Sequence, residues 1–401
     1  MELLQFKQIL EQRGIMDILE DLKKGNAELY EVIERLIESA KNKKKPSGAD
    51  QRILFGDMKG LWGLTYLDVS DIDLSRFSKD QLLRISFSNL TKWPSKDKLP
   101  KGFEPIKEIE TAKHFRGFGI DQLHQKGVDG RGVVIAYIDK PFNVNHEEFE
   151  GLDLDYTPER EVEFHGTSVS SRVVGKNMGI APKSKYIFFE KVDDLTEASL
   201  ESNIIGTINA LKKIIERVEA GERIDVVGES ASPLSLMDRM MGKGGESAKK
   251  VEIFRQEYLA LTKRLEELNV AYVTSDSFWN NGFGYAFKVD PAKDINDIDN
   301  YISMSAECVC VPEGGRCVPC AFDNSNYKYE NQVGCASWSI PQIVGIFALA
   351  RQVDPSITYN KFVEIAHKTA LEPNQYGVSF INASELMKSV KREKIDNNDL
   401  K

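Results

Sequence analysis

From Gly130 onward, short apolar runs alternate with long amphipathic stretches: Val133–Ile138, Tyr186–Phe189, Val226–Val227 and Val270–Val273, with helical periodicity over 196–220 and 248–268. Runs this short and continuously apolar read as strands buried on both faces, and the amphipathic stretches between them are the crossovers that parallel strands require. The pattern predicts an α/β fold built on a doubly wound parallel sheet. Functional side chains of such sheets collect beyond the carboxyl ends of the strands, where the chain turns away and leaves a crevice. The search for chemistry therefore narrows to strand ends.

The remainder of the 401 residues divides by composition. Apolar positions at helical spacing, among them Leu3, Phe6, Ile9, Leu10, Leu29, Val32, Ile33 and Leu36, predict a mainly helical N-terminal module, closed by the polar run Lys41 to Gly48. The expected division is 1–48 module and Lys-rich linker, 49–117 accessory lead-in punctuated by Trp93-Pro94 and Pro105, 118–387 main domain, and 388–401 charged tail. Lys and Arg number 53 against 62 Asp and Glu, a formal charge of −9, so binding to nucleic acid is not expected. No membrane association is expected either, since no apolar stretch is long enough to span a bilayer or form a signal-peptide core. Five cysteines, four of them within Cys308–Cys320, do not form a distributed disulfide framework and fit a cytoplasmic protein. Residues 1–100 are the expected site of any protein partner.

Three places stand out on the strand-end rule. Val133–Ile138 ends in Asp139; Phe164-His165-Gly166-Thr167 puts an imidazole at a helix start; and Gly334-Cys335-Ala336-Ser337 feeds a serine into a long apolar helix. Each has an ordinary structural reading, as cap, packed histidine and N-cap. Together, Asp, His and Ser in this chain order form one of the known arrangements of a charge-stabilised nucleophile. His146 competes with His165, but its polar neighbours Asn145, Glu147 and Glu148 read as a surface turn. Cys335 competes with Ser337 and reads as a small packed residue.

These residues, with Gly179-Ile180-Ala181-Pro182 and with Ser337 four positions before Pro341 in a helix followed by Pro355 and Thr358, resemble the subtilisin-like serine peptidases over about residues 118–375. The resemblance implies Ser337 as nucleophile, His165 as its base and Asp139 as the group that orients the imidazole, with a peptide or protein substrate and no cofactor. It also implies that the end of Asp225-Val226-Val227-Gly228-Glu229-Ser230-Ala231-Ser232 binds substrate backbone through Ser230, Ala231 and Ser232, the last in place of the usual Gly. The lead-in, with Ser86-Phe87, Trp93-Pro94, Gly119-Ile120 and Leu123-His124, is similar to predicted intracellular members of this family from Gram-positive bacteria.

The chain departs from the family pattern at three points. Lys140-Pro141 follows Asp139 where Thr-Gly is usual, Gly334-Cys335-Ala336 replaces Asn-Gly-Thr, and Asp276 stands where an Asn normally donates to the oxyanion. A carboxylate there would repel that charge, so Ser275, Ser277, Asn280 and Asn281 are the alternative donors. Cys308, Cys310, Cys317 and Cys320 have the spacing of a four-thiolate zinc site, but the expectation is a reduced, metal-free cluster. Asp294, Asp297 and Asp299 read as a solvated loop rather than a calcium site. The leading expectation is a serine endopeptidase; the alternative is a degenerate subtilisin-like fold that binds peptides or regulates.

Overall fold

The computed structural model describes residues 63–191, 197–242, 245–303, 307–313, 316–330 and 336–399. The helical module expected over 1–48 lies outside them, as does Cys335. In chain order the principal elements are α1 (Lys79–Leu83), β1 (Phe87–Ser88), α2 (Pro105–Lys113), α3 (Ile120–Gln125), β2 (Val134–Asp139), β3 (Leu154–Asp155), α4 (Phe164–Val174), β4 (Lys185–Glu190), α5 (Glu197–Glu219) and β5 (Val226–Glu229). There follow α6 (Pro233–Met241), α7 (Gly245–Glu267), β6 (Ala271–Thr274), α8 (Ser275–Asn280), β7 (Phe283–Lys288), β8 (Tyr301–Ile302), β9 (Val309–Glu313), β10 (Arg316–Pro319) and β11 (Tyr327–Glu330). The chain closes with α9 (Ala336–Val353), α10 (Tyr359–Lys368), β12 (Ser379–Phe380) and α11 (Ala383–Asp399).

The apolar runs form one sheet of five parallel strands in the order β3-β4-β2-β5-β6. Tyr186, Ile135, Val226 and Ala271 lie in register across it. Successive residues of β2 enter different cores. Ile135 and Tyr137 pack with Val169 and Val173 of α4 and Ile343 and Val344 of α9, whereas Ala136 and Ile138 pack with Ile204, Ile208 and Leu211 of α5 and with Val251 and Leu265 of α7. Helices thus cover both faces, which is why these strands carry no polar alternation. Fully burying each large apolar side chain contributes about 1.5–3 kcal/mol, so slipping β2 by one residue would be costly and Asp139 is fixed at its carboxyl end.

Two smaller sheets complete the protein. β7 follows β6 in the chain but pairs with β8 and β9, giving the order β12-β9-β7-β8. The other sheet is β1-β11-β10, with Phe87 opposite Tyr329. Through β1 the lead-in joins the hairpin that runs on toward Ser337. Leu64, Leu82, Leu83, Ile85, Phe87 and Phe103 share one core with Cys317, Tyr327 and Tyr329.

Candidate active site

Asp139 leaves β2 buried, at 2% exposure, and its Oδ1 meets His165 Nδ1 at 2.7 Å. The same oxygen accepts the Lys140 N–H at 2.7 Å. The carboxylate is therefore hydrogen-bonded on its own loop as well as to the imidazole, as a buried charge must be. The His-Gly-Thr sequence explains how α4 comes so close. A Cβ at Gly166 would lie 1.9 Å from the Lys140 carbonyl oxygen, so only glycine lets the helix start abut the turn after β2. Thr167 completes the join: its hydroxyl donates to the Glu163 carbonyl at 3.0 Å and accepts the Asn143 N–H at 3.0 Å.

Ser337 sits in the first turn of α9, and Pro341 lies inside that helix. Proline has no N–H, so the carbonyl four residues earlier, that of Ser337, lacks its helical donor. Ser230 Oγ supplies one at 2.9 Å, and Tyr137 OH lies 2.7 Å from the same Oγ. Since the Ser230 proton is directed to Ser337, Tyr137 is the donor of the second bond. Gly228 makes room for this tyrosine, because a Cβ there would fall 2.4 Å from its ring. Trp338, next after Ser337, lies tilted over His165 with ring centroids 5.3 Å apart. The structure thus brings Asp139 with His165, and Ser230 with the Ser337 backbone, together at the carboxyl ends of β2 and β5. Among the described residues the Ser337 hydroxyl has no hydrogen-bond partner.

No family model matches the chain. Over 64 residues, 14% of this chain, it is 36% identical to a subtilisin-like protease 1 of Trichophyton verrucosum, and over 75 residues, 17% of this chain, 33% identical to the subtilisin-like protease 1 of Trichophyton rubrum. The matched stretch spans only 16% and 15% of these curated relatives' length. Among solved structures, the prenylagaramide maturation protease PagA is 15% identical with a TM-score of 0.44, covering 68% of this chain and 98% of that one. Fervidolysin from Fervidobacterium pennivorans, a keratinolytic enzyme related to subtilisin, is 13% identical with a TM-score of 0.44, covering 69% of this chain and 47% of its own. At these levels the geometry of the site itself has to carry the functional reading.

Ala231 is held from both sides: its N–H donates to the Glu229 carbonyl and its carbonyl accepts the Ser275 N–H, both at 2.8 Å. The peptide edge expected at Ser230, Ala231 and Ser232 is thereby tied to the end of β6, where Ser275 begins α8. Asp276 is turned away from the role that made it conspicuous in the sequence. Its Oδ2 accepts the Leu234 N–H and its Oδ1 the Ser235 hydroxyl, each at 3.0 Å, so the carboxylate caps α6, where a helix dipole favours negative charge. Ser277 exchanges hydrogen bonds with Thr274, Asn281 Nδ2 donates to the Ser277 carbonyl at 2.8 Å, and Asn280 is exposed. Of the alternative donors, buried Ser275 is the one whose hydroxyl has no partner among the described residues and whose backbone touches the peptide edge.

One sequence reading is corrected. His146 is not in a surface turn: it is 1% exposed, its Nε2 bonds to the Asn326 carbonyl at 2.9 Å and its Nδ1 accepts the Glu148 N–H at 3.1 Å. The candidate zinc ligands do not converge. Cys310 packs with Tyr301 and Phe380 while Cys317 packs with Phe87, because β9 and β10 belong to different sheets, and no group of three or more His, Cys, Asp or Glu among the described residues could hold a metal. Burial pushes the Cys320 thiol up to about 12. Glu229, read only as part of the peptide-edge strand, is fully buried beside the site, where it takes Lys191 Nζ at 2.5 Å and the Thr207 hydroxyl at 2.6 Å, together with the Tyr272 hydroxyl. A lone acid inside the apolar run of β5 was the signal for that pair.

Proposed function

We propose that this chain is a serine endopeptidase of the subtilisin-like kind, acting in the cytoplasm on linear segments of peptides or proteins. The observation that carries the reading is the buried Asp139 holding His165 Nδ1 beside the helix start that bears Ser337. In this mechanism Ser337 Oγ attacks the scissile carbonyl carbon while His165 Nε2 takes the hydroxyl proton. Asp139 fixes the tautomer and stabilises the imidazolium. Collapse of the tetrahedral adduct breaks the C–N bond, and His165 returns the proton to the leaving amine. Water then hydrolyses the acyl-enzyme by the same proton route in reverse order. The oxyanion lies by the Ser337 N–H at the positive end of α9, with the Ser275 hydroxyl as the side-chain donor in place of the usual Asn.

A second reading, a degenerate peptidase fold that binds peptides without cleaving them, draws on one feature: Asp276, at the position of the family's donor Asn, has both oxygens engaged by Leu234 and Ser235 of α6. Labelling by a fluorophosphonate probe separates the two. The peptidase reading expects stoichiometric labelling of the parent, abolished in Ser337→Ala and strongly slowed in His165→Ala. An unlabelled parent that still binds peptide would establish the second reading.

A further inference from the structure

The five-stranded sheet ends at β6 with an open edge. Alternate residues of a parallel strand turn their main-chain groups to opposite sides. The Ala271 N–H bonds to the Asp225 carbonyl at 3.3 Å, toward β5, so Tyr272 and Thr274 face outward. Thr274 is closed off by the Ser277 hydroxyl, which accepts its N–H at 2.8 Å. For Tyr272, by contrast, no main-chain bond is made on that side among the described residues. The strand that follows in the chain, β7, is engaged with β8 and β9 instead.

A cavity of about 440 Å³ is lined by Ala271, Tyr272 and Thr274 of this edge, by Thr262 and Glu266 of α7 and by Tyr359 of α10. Its lining is net acidic, with the carboxylates of Asp276 and Glu266 against the one guanidinium of Arg351. Arg351 is held in place by the Pro355 carbonyl at 2.6 Å and the Asn269 carbonyl at 2.7 Å, and Asp276 by α6, whereas Glu266 is exposed and has no ion partner among the described residues. An unpaired strand edge beside a free carboxylate is complementary to one kind of molecule, an extended peptide with a basic side chain. Four residues of β6 span about 13 Å, room for three or four residues of such a strand.

We propose that β6 and its cavity bind an extended, Lys- or Arg-bearing segment of the protein substrate, distant from the bond that is cut, by strand addition at Tyr272 with the basic side chain against Glu266. Leu234 and Asp276, which follow the peptide edge and the end of β6, line the same cavity. That the occupant is substrate rests on the peptidase reading; that the edge binds a basic strand does not.

The test uses the full chain carrying Ser337→Ala and two blocked pentapeptides, Thr-Val-Lys-Val-Thr and the same with Glu for Lys. The expected result is slowed amide exchange at Tyr272 and tighter binding of the Lys peptide. Glu266→Lys reverses that preference by about three- to tenfold, the scale of exchanging one exposed ion pair for a repulsion. Thr262→Trp, which fills the cavity, abolishes binding. In the active protein the Lys pentapeptide inhibits cleavage of a long substrate containing that segment and not of a short chromogenic peptide. Saturating binding with Tyr272 exchange unchanged, protection confined to 230–232, or inhibition of both substrates would overturn the proposal. Failure of the peptidase reading is distinct: the probe leaves Ser337 unlabelled while Tyr272 is still protected.

Discussion

The two halves of the candidate site are built in opposite ways. Asp139 and His165 come from one stretch of chain, β2, the connection 140–163 with the short β3, and α4, whose start Gly166 lets abut the turn after β2 so that the side chains meet at 2.7 Å. The approach to Ser337 is framed from far away. The hairpin β10–β11 before it completes its sheet with β1 from the lead-in, and Phe87 stacks on Tyr329 at 4.9 Å. The Asp139–His165 pair can thus be robust while the segment leading to Ser337 depends on distant residues. The lead-in belongs to the site's frame.

The largest expected effects fall on the chemical groups themselves. Under the proposed mechanism, in which the three act as a unit, Ser337→Ala and His165→Ala are expected to lower turnover roughly 10⁶-fold and Asp139→Asn about 10⁴-fold, without adding when combined. Steady-state cleavage with circular dichroism as a folding control checks this, and an active Ser337→Ala protein would refute the assignment.

Next in size is Phe87→Ala. This ring is fully buried, with Trp93 and Phe103 edge-on at 5.5 Å each, so its removal is expected to cost about 3–5 kcal/mol. Where the protein is still folded, probe labelling of Ser337 should slow, while the downfield proton shared by His165 and Asp139 stays visible by NMR. Loss of that signal together with labelling would show that the halves are not separable.

What was legible in the sequence follows the same division. Asp139 could be read because the apolar run of β2 stops at a carboxylate, and His165 because a His-Gly pair opens a helical run. The sheet β1-β11-β10 could not, since two-residue β1 has no periodicity and its partner lies at the other end of the chain. His146 was misread because Glu147 and Glu148 look solvated, yet Glu148 is fully buried, where it takes the Asn177 and Met178 N–H groups at 2.8 and 3.0 Å. Tyr137 looked like one more core residue of β2; its hydroxyl matters only once Ser230 is seen opposite. The split between β6 and β7 depends on which strands pair, and that leaves no local mark.

Ser230→Ala probes the link between the halves and is expected to have a moderate effect. It leaves the Ser337 carbonyl without a donor at a helix start where Pro341 has already removed the usual one. A hydrogen bond of this kind contributes about 0.5–1.5 kcal/mol, so kcat should fall roughly two- to tenfold. Tyr137→Phe should fall less, since it orients Ser230 rather than Ser337. Equal losses in the two variants would mean that the phenol acts directly at the site.

The smallest expected effect is a pH dependence of stability, and it tests the distant frame alone. Burial lowers the pKa of His146 below its ordinary 6.5, and the hydrogen bonds specify one neutral tautomer: Nδ1 accepts the Glu148 N–H, so Nε2–H donates to Asn326, which immediately precedes β11. A proton added at Nδ1 would face that N–H. As pH falls below about 6.5 the unfolded chain takes up this proton and the folded chain does not, so the unfolded state binds more protons and stability falls, by at most about 1.4 kcal/mol per pH unit. His124, also lowered by burial, adds a contribution of the same sign. Urea midpoints at pH 7.5, 6.5 and 5.5 should decline in the parent and decline less steeply in His146→Gln, which starts from a lower value because it loses the fitted ring. If the two slopes were equal, His146 would not be the titrating group, and the acid sensitivity would rest on His124.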